Sequence, residues 1–252
     1  MLLGVSIAGG GRSGDATPAW QRSQRYRWPL FGAGIVRRAV GPDGRATLST
    51  MGDRGIYVEV LIRAPLDRVW ELTQNPALHP RWDLRFSAIR PVDDLAGGGY
   101  RFEYERSLPF HTIRGIGTSL GERSRPDGTS TSALKFTTAD RLSPLGDGRG
   151  YWRYVPGDAG IRFITGYDYT PGWGAFIDRL VMRRFIGWMT AWSFDRLRIW
   201  AETGEQPERW PIGSVLAFWR ADRPRASRCI RKPRTGTAMD AAPAALSTLE
   251  TP

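Results

Sequence analysis

The residues best equipped for covalent chemistry are few, and their spacing argues against most of it. Gly117-Thr118-Ser119-Leu120-Gly121 fits the G-x-S-x-G pattern, in which a serine nucleophile sits on a sharp strand-to-helix turn with its histidine downstream. Here a turn and another strand-like stretch follow, and the two histidines, His79 and His111, both lie upstream, so a serine hydrolase is not expected. His79 precedes Pro80 in a short helical stretch and reads as a packing or surface residue. His111, beside Phe110, falls at a strand turn and is a weak acid–base candidate. Two scattered histidines and the single Cys229 give no zinc-ligand spacing. Gly32-Ala33-Gly34 lacks the third glycine of a dinucleotide-binding turn, position 37 being Arg, and follows no strand. No metal and no cofactor are expected, and no residue is assigned a catalytic role. One cysteine allows no intrachain disulfide, so nothing calls for an oxidising compartment.

The elements that would position any site lie between residues 55 and 205. Ile56, Val58, Val60 and Ile62 alternate with Tyr57 and Glu59, the pattern of a half-buried strand. Pro65 opens a helix in which Leu66, Val69, Trp70 and Thr73 recur at helical spacing, and Asn75-Pro76 stops it. A second short helix is predicted over Pro76 to Trp82. Six more strands are predicted at Arg85–Val92, Gly99–Arg106, Thr112–Glu122, Ser130–Thr138, Arg149–Val155 and Ile161–Tyr169. Turns separate them at Pro126-Asp127-Gly128 and Pro156-Gly157-Asp158. One long helix then runs from about Gly174 to Thr203. Its apolar residues, among them Ile177, Leu180, Val181, Phe185, Trp188 and Trp192, cover a stripe wider than a surface helix needs, so a sheet should wrap it.

Strand, two short helices, antiparallel strands and a long terminal helix follow the order of the START-like superfamily, also called SRPBCC. That superfamily includes the polyketide cyclase/dehydrase group and the pollen-allergen-like proteins. The segment YVEVLIRAPLDRVWELTQNPALHPRWDLRFSAI, Tyr57 to Ile89, resembles the opening of bacterial members. The resemblance implies an α+β helix-grip fold: a curved, antiparallel seven-stranded sheet wrapped around the C-terminal helix, with a cavity between them. It implies no catalytic residue, because carriers, sensors, cyclases and aromatases in the superfamily share no single catalytic motif.

With that fold, strand alternation predicts the cavity lining. The expected residues are Tyr100, Phe102, Tyr104, Leu134, Phe136, Trp152, Phe163 and Tyr167 from the sheet, with Tyr154 a further option. Phe185, Trp188, Met189 and Trp192 come from the helix. Rigid rings with polar tips suit planar or sterol-like ligands. Arg114, Glu103 and Asp168 are candidate polar groups inside the pocket, along with the hydroxyls of Tyr104 and Tyr167, and each charge is balanced against a solvated outer face. Trp82, Asp83 and Arg85 should lie near the pocket mouth, where a buried Asp83–Arg85 contact is the structural alternative.

The net charge of +11 invites a nucleic-acid reading, but its distribution does not support one. Residues 1–54 hold eight Arg against three Asp, and residues 206–252 hold eight Lys+Arg against four Asp+Glu. Residues 55–205 hold twenty basic against eighteen acidic residues, so the candidate domain has no concentrated basic face of its own. Both flanks lack any hydrophobic period and are expected to be largely disordered, although Pro211 to Trp219 could dock as a short element. Met51 stands just before the ordered pattern, so translation is expected to start there. Arg179, Arg183 and Arg184 form a basic helix edge, read as a solvated face with weak anionic-surface contact as the minority option. No window approaches the ~18 apolar residues of a membrane span, and the cytoplasm is the default location. Three functions stay open: a carrier or sensor for a hydrophobic small molecule, a polyketide cyclase/aromatase-type enzyme, and a membrane-surface or protein-interaction adaptor.

Overall fold

A computed structural model of the chain describes residues 55–122 and 127–252. The expectations placed on residues 1–54, on Met51, on Gly32-Ala33-Gly34 and on Pro126 lie outside the described residues.

Strand β1 (Ile56–Ile62) leads into helix α1 (Leu66–Gln74) and the single turn of α2 (His79–Trp82). Pro65 supplies the pre-set φ of −60° ahead of α1. Asn75, extended because Pro76 follows, ends it. Strands β2 (Ala88–Asp94), β3 (Tyr100–Leu108), β4 (His111–Glu122), β5 (Ser130–Thr137), β6 (Leu145–Gly157) and β7 (Gly160–Pro171) complete the sheet. Its order is β1-β7-β6-β5-β4-β3-β2, antiparallel at every pairing. Register breaks at Pro91/Asp93 and Leu145/Gly148 help to curve it into an open half-pipe. The C-terminal helix begins as α3 (Ala175–Ile177), passes through a π-helical turn (Asp178–Met182) and continues as α4 (Arg183–Thr203). Gly204, left-handed at φ 77°, caps it by donating its N–H to the Trp200 carbonyl. The sheet grips this helix, so the architecture is the helix-grip fold expected.

The core joins Ile56, Val58, Val60 and Ile62 of β1 to Ile186, Ala191, Trp192, Phe194 and Leu197 of α4. The predicted inner stripe is too long, however. Ile177, Leu180, Val181 and Phe185 are exposed, and continuous burial starts only at Thr190, with Ile186 buried ahead of it. The first turns of the helix overhang the open end of the half-pipe, where no second layer covers them.

Residues 206–252 also depart from the expectation of a disordered tail. Trp210, Ala226 and Cys229 enter the main core, and Ile230 exchanges two backbone hydrogen bonds with Glu59, of 2.8 and 2.9 Å. The chain then crosses the outer face of the sheet. Ala238 packs on Tyr57, Tyr151 and Ile164, and Leu246 and Leu249 pack on Ala133. Asp195 on α4, fully buried, anchors the segment by accepting from the Arg225 N–H (2.8 Å) and Arg228 (2.9 Å). These apolar contacts are single residues spread among Arg, Pro and Gly, which is why no period betrayed them.

Candidate functional site

Between the inner face of the sheet and the overhanging helix lies a cavity of about 350 Å³. Alternation along β3 sends Tyr100, Phe102 and Tyr104 into it. β5 contributes Leu134 and Phe136, β6 contributes Trp152, β7 contributes Tyr167, and the helix contributes Phe185 and Met189. These nine residues are ones the pattern predicted for the lining.

Glycines opposite the rings make the close fit possible. Phe102 pairs with Gly117, Tyr104 with Gly115, and Tyr167 with Gly150 across neighbouring strands. A methyl group on Gly117 would overlap the Phe102 ring, and one on Gly115 would overlap Tyr104. Glycine within a strand weakens it but permits such approach. Gly117 and Gly121 of the apparent nucleophile motif thus both belong to β4, with no helix after Ser119.

Five predicted site residues are not brought to the cavity wall. Trp82 is fully buried behind it, donating its Nε1–H to the Leu72 carbonyl at 2.8 Å. Phe163 stacks on Phe194, with ring centroids 4.6 Å apart, and Trp192 is buried in the same core. Trp188 stacks behind Phe185 at 6.0 Å. Arg114 points outward, 75% exposed, and pairs with Glu105 at 3.2 Å. Glu103 is exposed too, and Asp168 is occupied by Arg183 at 3.1 Å. Tyr154 is buried, its hydroxyl held by Thr73 (2.7 Å) and Gln74 (2.8 Å). His111 pairs with Asp140 at 2.7 Å and is not part of the lining.

Lining residues outside the predicted set include His79 and Arg106, and Arg85, expected near the pocket mouth, lines the cavity as well. Arg106 continues the inward alternation of Tyr100, Phe102 and Tyr104, so the signal was present in β3. His79 and Arg85 meet over Asp83. Arg85 donates from Nη2 (2.7 Å) and Nε (3.0 Å) to the two Asp83 oxygens, and His79 Nε2 lies 3.1 Å from Oδ2. The Arg85 guanidinium also sits 5.2 Å from the Tyr167 ring centroid, and the Tyr167 hydroxyl is 2.7 Å from Thr190 Oγ1. Burial alone would raise the Asp83 carboxyl, but the Arg85 charge and the hydrogen bonds from His79 and Arg85 hold it well below the usual carboxylate range. Burial lowers the His79 pKa despite Asp83, which keeps the ring neutral at pH 7. Burial also pushes the Tyr100 phenol up to about 12. No group of three or more His, Cys, Asp or Glu among the described residues is placed to hold a metal.

The open end of the cavity is apolar. Leu108, Leu142, Trp173, Phe185 and Ile212 line it and are exposed. Phe110, Phe176, Ile177, Leu180, Val181, Leu216, Phe218 and Trp219, close in sequence to Leu108, Trp173, Phe185 and Ile212, are exposed as well. No helix among the described residues is long and apolar enough to cross a membrane.

Among curated proteins, one from Bacillus subtilis named "Uncharacterized membrane protein YndG" is 39% identical over 171 residues, covering 66% of this chain and 64% of the relative. The match thus spans less than two thirds of that relative's length. Similar solved structures include a STAR-related lipid transfer protein fragment from Xanthomonas axonopodis, with 16% identity and a TM-score of 0.43 over 59% of this chain and 86% of that one. The Zhui aromatase/cyclase from a Streptomyces species has 11% identity and a TM-score of 0.43 over 60% of this chain and 98% of that one. Residues 54–202 match the family model described as "Polyketide cyclase / dehydrase and lipid transport". With that match covering more than half of its length, the chain belongs to the polyketide cyclase/dehydrase and lipid transport family.

Proposed function

We propose that the chain binds one hydrophobic molecule, lipid-like or aromatic polyketide-like, inside the cavity and serves as its carrier or sensor. The observation that carries this reading is the ring-lined space itself, walled by residues from strands β2 to β7 and the helix. Its volume is within the range of about 300–1,000 Å³ typical of small-molecule sites. Covering about 300 Å² of apolar ligand surface would contribute roughly 7 kcal/mol, before association costs of about 4 kcal/mol or more. Of the two histidines, His111 stands away from the cavity, whereas His79 lines it with Nε2 held by Asp83.

A second reading concerns how the cavity fills. The exposed apolar rim, with Arg141, Arg179 and Arg184 exposed beside it, has the composition of a surface that docks on an anionic bilayer. Docking there would let a ligand pass from bilayer to cavity without crossing water.

One experiment tests both readings. The protein is mixed with vesicles containing phosphatidylglycerol, floated, re-isolated and weighed by native mass spectrometry. Flotation with the vesicles and a single lipid-sized adduct are the expected results. Re-isolated protein at its bare mass contradicts the cavity reading, and failure to float contradicts the docking reading.

A further inference from the structure

The charged groups that line the cavity are all of one sign. Arg85 and Arg106 contribute guanidinium groups, His79 is neutral, and no Asp or Glu is among the lining residues. Arg85 is already neutralised, since Asp83 lies behind it and binds it through both oxygens. Arg106 differs: no hydrogen bond or ion pair joins it to a carboxylate among the described residues. Arginines on the outer face behave otherwise, since Arg90 and Arg114 both pair with Glu105, at 3.0 and 3.2 Å. Arg106 also adjoins the Asp83–Arg85 segment. Ser87 donates its N–H to the Glu105 carbonyl at 2.6 Å, and the Phe86 and Tyr104 rings meet at 5.7 Å. Burial lowers the Arg106 pKa, with the Asp83 charge opposing the shift. An unpaired cation facing an apolar space carries a desolvation cost that a bound anion offsets.

We propose that the cavity selects an amphiphile with a carboxylate head, which pairs with Arg106 beside Arg85 while its apolar body lies along the rings of β3 and β5. This rests on the cavity being a ligand site and narrows the ligand to one chemical class. A bidentate guanidinium–carboxylate pair is the geometry that two planar groups favour.

The test uses the full chain and two fluorescent probes, 11-(dansylamino)undecanoate and its methyl ester, which differ in the charge of the head. At pH 7.5 the wild type is expected to bind the carboxylate at least tenfold more tightly than the ester. Arg106→Met should bring the two affinities within twofold of one another, and an unchanged Tm reports an intact fold. Arg106→Lys should keep part of the preference. Equal binding of the two probes by the wild type, or an undiminished preference in Arg106→Met, overturns the proposal while the cavity reading stands. If the wild type binds neither probe, the cavity reading fails and takes this inference with it.

Discussion

Asp83 is the residue on which the cavity wall turns, because it holds Arg85 by two oxygens and His79 by one of them. Removing one partner of such a buried set leaves the others uncompensated. His79 gives this arrangement a measurable pH dependence. Its pKa is lowered below the ordinary 6.5, chiefly by burial. As pH falls from about 6.5 toward the lowered folded-state value, the unfolded chain binds a proton that the folded chain refuses, so stability declines across that window. Asp83 stays ionised throughout and contributes no slope there. Calorimetry between pH 7.5 and 5.5 should therefore show the Tm of the wild type falling, with a shallower fall in His79→Gln. Identical slopes in the two proteins would mean that His79 is not buried neutral.

Among the elements, the C-terminal segment most changes the picture drawn from sequence. Trp210 is 1% exposed within the main core, and Asp195 and Arg196 of α4 both reach into the segment, Arg196 donating to the Pro207 carbonyl at 2.7 Å. Trp210→Ala should cost about 3 kcal/mol in urea unfolding, as core tryptophan truncations do, whereas a detached tail predicts a change within about 0.5 kcal/mol. The strands were legible because their period is two and their turns carry Gly and Pro. Seven of the nine lining residues followed from that same alternation, and Phe185 and Met189 from the apolar stripe of the helix. Phe163 was misplaced because an inward-facing ring can fill core as readily as border a void, and alternation cannot tell the two apart; Trp82, expected at the mouth where the short helices meet the sheet, turns into the core instead. Trp188 and Trp192 failed for a related reason, since the apolar stripe of the helix is wide enough to serve both the core and the cavity. The Arg114 error has another source: it sits on β4 opposite Glu105, and only the register shows that both point outward. His79 and Arg85 were undervalued because their meeting over Asp83 depends on how α2 turns into the sheet.

For the whole molecule, the helix and the sheet divide the labour. The C-terminal half of α4 fills the half-pipe beside β1 and makes core, while its beginning overhangs the other strands and leaves the cavity beneath. Glycines opposite the inner rings keep that space shallowly floored, and the apolar rim leaves it open at one end. The most direct test of an enclosed ligand site is to fill it from within. Calorimetric titration with 1-aminoanthracene should show one-to-one binding to the wild type, weakened at least tenfold in both Leu134→Trp and Met189→Trp while each variant keeps the wild-type Tm or exceeds it. Equal binding by the filled variants, or none by the wild type, would contradict a ligand cavity between the sheet and the helix.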